Sequence, residues 1–221
     1  MVDTPVVRVR GEIEREVPPE VARFAVTVAA RDRDRETTLR RLAERSAALR
    51  SLLDQYREAI ERHETGQVWI RPELKRSGER VAAYHGSVGT TVTVTDFAAL
   101  GEMMLRLADQ DQTTVAGPWW SLRPDSPVYG EARRDAVRAA IDRAGEYADA
   151  LGARVISLVE LADTDLAADR PMLMRTAGFA GGAEAGGPPA LDLDPQQQTV
   201  RASIEATFTI SAPALPGTSA E

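Results

Sequence analysis

Apolar and charged residues alternate from the start of the chain: Val7, Val9, Gly11 and Ile13 interleave with Arg8, Arg10, Glu12 and Glu14. A period of two puts the sets on opposite faces of a half-buried strand. Pro18-Pro19 marks a turn, and Phe24, Val26, Val28 and Ala30 alternate again, so the two segments read as a hairpin. The period then changes. Leu39, Leu42, Ser46, Leu49, Leu53, Tyr56 and Ile60 step by three and four, which predicts a helix lying on a sheet. The same heptad-like spacing also fits a coiled coil, although strands on either side favour the sheet-bound helix. On this reading His63 falls near the helix end, where a cation suits the dipole, and Gly66 closes the region.

Val68 to Leu74 and Val81 to Thr95 form a second strand pair around Ser77-Gly78, with Val88, Thr90, Val92 and Val94 the clearest strand pattern. Asp96 is placed to cap a short helix carrying Leu100, Met103, Met104 and Leu107. Thr113 to Leu122 reads as a strand. Pro118 assigns it to a sheet edge, because proline cannot donate to a ladder. A long helix follows, with Ala132, Ala136, Ala140, Ala144 and Ala148 on one face and Val137, Ile141 and Leu151 alongside. Its alanines let the backbone approach closely whatever it packs on. Gly152 is the expected cap, and Val155, Ser157, Val159 and Leu161 then alternate as a strand.

Residues 164–197 are rich in Ala, Gly, Pro and Asp and read as a long flexible loop, with an apolar patch at Met172, Leu173 and Met174. Trypsin is expected to cut there first, at Arg170 or Arg175. Val200, Ala202, Ile204, Ala206, Phe208 and Ile210 alternate in a closing strand, and residues 212–221 read as a disordered tail. The predicted order is ββ-α-ββ-α-β-α-β-(long loop)-β. It indicates an α+β fold with mainly antiparallel sheets and three helices. Residues 1–211 suffice for one domain or two intimate lobes.

Composition narrows the chemistry. The net charge of −7 supplies no basic excess for nucleic acid. Absence of cysteine removes disulfides and thiolate chemistry. No apolar run reaches membrane-spanning length, and MVDTPVVRVRG has no apolar core of an export signal, so the expected location is cytoplasmic.

Four stretches together resemble the SIMPL-domain family (domain of unknown function 541). These are VRGEIEREVPPEVARFAVTV, AAYHGSVGTTVTVTDFAALGEMM, GEARRDAVRAAIDRAGEYADALG, and RPMLMR followed by a Gly/Ala/Pro tract and QTVRASIEATFTI. They span nearly the whole chain in the family's order. The resemblance implies a non-enzymatic domain that oligomerises, linked loosely to stress tolerance or to envelope and signalling functions. It brings no catalytic residues with it.

Residue by residue, the chemistry is sparse. The two histidines, His63 and His85, lack metal-ligand spacing, even with Glu61, Glu64 or Glu79 recruited. Ser87 within Gly86-Ser87-Val88-Gly89 misses the nucleophile-elbow pattern and leads a strand. Gly178, Gly181, Gly182, Gly186 and Gly187 have no Gly-Lys-Ser/Thr, so a linker outweighs a phosphate loop. Asp32/Asp34 and Asp192/Asp194 read as solvated charge.

Trp119-Trp120 stands apart. Neighbours on a strand face opposite ways, so Trp120 joins Leu122 in the core while Trp119 faces outward. Trp119 and Pro118 then mark a subunit contact, a surface under the long loop, or simple exposure. The leading expectation is a homo-oligomeric scaffold or binding protein with no cofactor and no metal. An adaptor holding an apolar ligand under Met172–Met174 comes second, and an enzyme third.

Overall fold

The computed structural model describes residues 4–75, 80–164 and 191–214. Its elements run β1 (Val6–Val17), β2 (Val21–Asp32), α1 (Arg35–Asp54), β3 (Ile60–Leu74), β4 (Val81–Val94), α2 (Leu100–Ala108), β5 (Thr113–Ser121), α3 (Pro127–Ala150), β6 (Val155–Asp163) and β7 (Gln198–Ile210). This is the expected α+β succession. The strands form a three-stranded sheet, order β1-β7-β6, and a four-stranded sheet, order β3-β4-β2-β5. The chain divides into two compact units. One holds Met1–Val17, Pro124–Gly181 and Thr199–Glu221, the other Pro18–Arg123 and Gly182–Gln198.

The expected β1–β2 hairpin does not form, because the two strands belong to different sheets. Alternation marks a strand but carries no record of its partner. Here β1 lies under α3 while β2 packs under α1, and Pro18-Pro19 offers no amide hydrogens to close a ladder between them.

In the first unit β7 is central, and every alternating residue from Val200 to Ile210 is buried. Ile210 N–H donates to the Pro5 carbonyl at 2.9 Å, and Arg201 clasps Glu14 at 3.1 Å through both nitrogens, which fixes β1 antiparallel to β7. The five alanines of α3 are fully buried, as their spacing predicts. Gly11 explains why they are alanines. A Cβ there would lie 2.7 Å from Ala140 N, 2.8 Å from Ala140 Cβ, and against the Ala136 carbonyl oxygen. Helix and strand meet backbone to backbone.

The helix starts earlier than its alanine stripe, with Pro127 at the first turn and Ser126 Oγ accepting from Val128 N–H at 3.4 Å. It ends in a Schellman motif. Gly152 takes φ +63°, Gly152 N–H donates to Asp149 O, and Ala153 N–H donates to Ala148 O. Ile141 and Leu151, expected beside the alanines, are exposed. Alternation in β6 is broken by extra residues at Ile156 and Val159, where one β7 position faces two on β6.

In the second unit Ala22, Phe24, Val26, Val28 and Ala30 of β2 pack with Val92 and Val94 of β4, with Leu42, Leu49 and Leu53 of α1, and with Leu100, Met103 and Leu107 of α2. The α1 seam holds at Leu42, Leu49 and Leu53, but Leu39 is exposed and the helix stops at Asp54 rather than running on to Ile60. Ile60 and Arg62 to Thr65 instead pair with β4, which moves His63 from a helix end into β3. A polar edge strand carries no apolar alternation, so the sequence pattern misses it. Asp96 accepts from Ala98 N–H in the turn before α2, whose own N-cap is Ala99. β5 is an edge strand, as Pro118 requires. Of the predicted loop at 164–197, residues 165–190 lie outside the described residues, as do Ser77-Gly78 and most of the 212–221 tail. Residues 191–197 carry neither helix nor strand, and Leu193 packs on the core of the second unit.

Asp34, by contrast, does cap α1: its Oδ2 accepts from Thr37 N–H at 2.7 Å. That hydrogen bond holds its carboxyl below the ordinary aspartate range. A depressed carboxyl contributes stability above its unfolded-state pKa and loses it as pH falls through the folded value. Asp34→Ala should therefore lower the melting temperature at about pH 7, and the gap to wild type should narrow at about pH 3. Thermal scans at both values test this, and an unchanged gap would contradict it.

Candidate interaction surface

Register decides which side chains share a face of the four-stranded sheet. The even-numbered residues of β2 point into the core, so Arg23, Ala25, Thr27, Ala29 and Arg31 point the other way. Directly paired residues share a face. This side accordingly shows the rows Thr93–Arg23–Trp119, Thr91–Ala25–Ala116, Gly89–Thr27–Thr114 and His85–Arg31, the last extended by Arg71 of β3. Small residues fill the middle, and large or charged ones stand at its ends.

Trp119 lies where alternation placed it. It is 49% exposed, while Trp120 packs on the core with its ring edge-on to Phe97, centroids 4.8 Å apart. Just before Trp119, Gly117 and Pro118 together face the single residue Phe24. Gly117 sits at φ +124°, and a Cβ there would come within 3.0 Å of Phe24 Cβ. This bulge interrupts the strand edge beside Trp119. Directly opposite Trp119, Arg23 has a buried Nε with no hydrogen-bond partner.

The other sequence candidates disperse. His63 is exposed and pairs with Val92, whose side chain enters the core, while His85 pairs with Arg31 and Arg71 on the other face, so the histidines face opposite ways. Ser87 is buried in mid-strand, not at an elbow. Asp32 pairs with Arg41 at 2.9 Å and accepts from Asp34 N–H, and both aspartates shape the start of α1. Asp192 and Asp194 are exposed. Among the described residues no group of three or more His, Cys, Asp or Glu could hold a metal ion. Met172, Leu173, Met174, Glu79, Arg170, Arg175 and the glycines from Gly178 to Gly187 lie outside the described residues. Tyr56 donates to Glu102 at 2.7 Å and accepts from Arg106 at 2.9 Å. Burial first, then the Glu102 bond, pushes its phenol up, which suits a structural link between α1 and α2.

Sequence reading missed a cluster at the far end of the face. Trp69 and His85 lie with ring centroids 4.9 Å apart, Arg71 stacks 4.7 Å above the Trp69 ring, and Arg31 holds Glu73 at 2.7 and 3.1 Å. These residues are separated in sequence by up to about fifty positions, and only strand register joins them. It also missed the exposure of Ile156, Leu158, Val159 and Leu161 along β6, the edge strand of the other sheet.

Among the described residues no helix is long and apolar enough to cross a membrane. A search of the curated proteins finds no match. The family comparison does: the model for SIMPL, protein of unknown function (DUF541), matches residues 7–208. Nearly every element described above falls inside that match, from β1 through most of β7, and the chain belongs to the SIMPL (DUF541) family.

Proposed function

We propose that this protein is a non-enzymatic, self-associating scaffold or binding protein, and that the open face of its four-stranded sheet, with Trp119, makes the contact. The observation that carries the reading is Trp119 itself, a large indole half-exposed on a sheet face opposite an arginine whose Nε is buried and unpartnered. Tryptophan and arginine are enriched at interface hot spots, where truncation costs about 2 kcal/mol or more. The resemblance to an oligomer-forming family supports the same reading, and is also what supports a loose link to stress tolerance or the cell envelope.

The test is the mass of the assembly in solution. Trp119→Ala should lower the mass found by light scattering after size exclusion while leaving the far-ultraviolet dichroism of the wild type intact. An assembly of unchanged mass would remove Trp119 from the contact.

A further inference from the structure

We infer that the row Arg71–His85–Arg31, with Trp69 beside it, forms a binding site for an anionic oxygen group, a carboxylate or a phosphate. The site lies on the same sheet face as Trp119 but does not depend on self-association.

Three observations carry the inference. First, the residues are directly paired across three strands, Arg71 with His85 and His85 with Arg31. Placing like-charged or cationic side chains directly opposite costs stability unless something of opposite charge answers them. Glu73 is clasped by Arg31, both partners being exposed, and its charge also reaches His85 and Arg71. One carboxylate against two guanidinium groups leaves a positive excess.

Second, the arginine left over is already oriented. Arg71 lies over Trp69, its Cζ 4.7 Å from the ring centroid, with no ion pair to a carboxylate among the described residues. Stacking uses the face of the guanidinium and leaves its N–H edge for a bidentate acceptor, so little rotamer freedom remains to be lost on binding.

Third, His85 is half-buried against Trp69, and its Nδ1 is buried without a hydrogen-bond partner. Nε2 is therefore the ring nitrogen left to meet a ligand. Arg31, Arg71, Pro72, Glu73 and His85 line one open hollow. The Arg31 hydrogen bond is the chief cause that holds the Glu73 carboxyl below its ordinary range.

The chain has two histidines, which gives the test an internal control. Imidazole nitrogen resonances are followed by NMR at constant pH and ionic strength while inorganic phosphate, and separately acetate, replaces chloride. His85 should shift saturably while His63, on the opposite face, stays still. Saturation with phosphate alone assigns a phosphate site, and saturation with acetate as well assigns a general carboxylate and phosphate site. Arg71→Gln, a change on an exposed edge strand, should weaken the response about tenfold or more with the fold intact. Equal movement of both histidines, no saturation with either anion, or an Arg71→Gln titration matching wild type would each overturn the assignment. Because the readout is a single side chain, its failure leaves the Trp119 contact untouched.

Discussion

Gly11→Ala is expected to destabilise the protein nearly as much as Gly11→Val. At most surface-facing strand positions the alanine would be harmless or helpful. Here the added Cβ runs into the Ala136 carbonyl oxygen and lies 2.7 Å from Ala140 N, and backbone cannot rotate away as a side chain would. The helix must lift from β1. Lifting it loosens the contacts of five fully buried alanines whose small size only works at close range. Overpacking of this kind costs about 3 kcal/mol, which in a chain of this length lowers the melting temperature by roughly 6–12 °C. Thermal unfolding of wild type, Gly11→Ala and Gly11→Val measures it. If alanine proves neutral, α3 does not sit on β1 as described.

A comparable loss is expected in the second unit from Phe24→Ala. Phe24 is fully buried on β2, between Val92 of β4 and the Gly117–Pro118 bulge of β5, and it faces the layer of α1 and α2. Truncation removes the largest fully buried side chain and leaves a cavity that neighbours held in two ladders cannot fill. The cost should be about 3–5 kcal/mol. Phe24→Leu, which keeps most of the volume, should cost under about 1.5 kcal/mol. Urea titration distinguishes the cases: both midpoints fall in that order while the slope with denaturant holds. A Phe24→Ala midpoint within error of wild type would mean that β2 does not pack as the centre of this core.

What the sequence made legible follows from which physical signals are local. The alanine ladder of α3, the alternation of β7 and β2, the apolar seam of α1 and the edge position of β5 are all written within one element, and all appear in the fold. Gly152 is equally local, since only the residue after the helix needs positive φ there. Partner choice is not local. β1 and β2 look alike and adjacent in sequence, yet they pair in different sheets. The start of β3 is polar because it lies on an edge, so pairing with β4 alone defines it. In β6 the bulges at Ile156 and Val159 erase the period that a strand should show.

The candidate surface divides in the same way. Trp119 could be singled out because two adjacent tryptophans on one strand cannot share a core. His85 drew notice only as a scarce residue type. Its neighbours Arg71, Trp69 and Arg31 come from β3 and β2, and nothing in their own segments announces the row. Register across three strands creates the cluster, and register is a property of the folded sheet.

Sedimentation equilibrium of the wild-type chain across a range of protein concentrations tests self-association most directly. The account predicts a mass at tens of micromolar that is a multiple of the 24.0 kDa chain, falling toward that value for Trp119→Ala. A wild type that sediments as a single 24.0 kDa species at every concentration would contradict it.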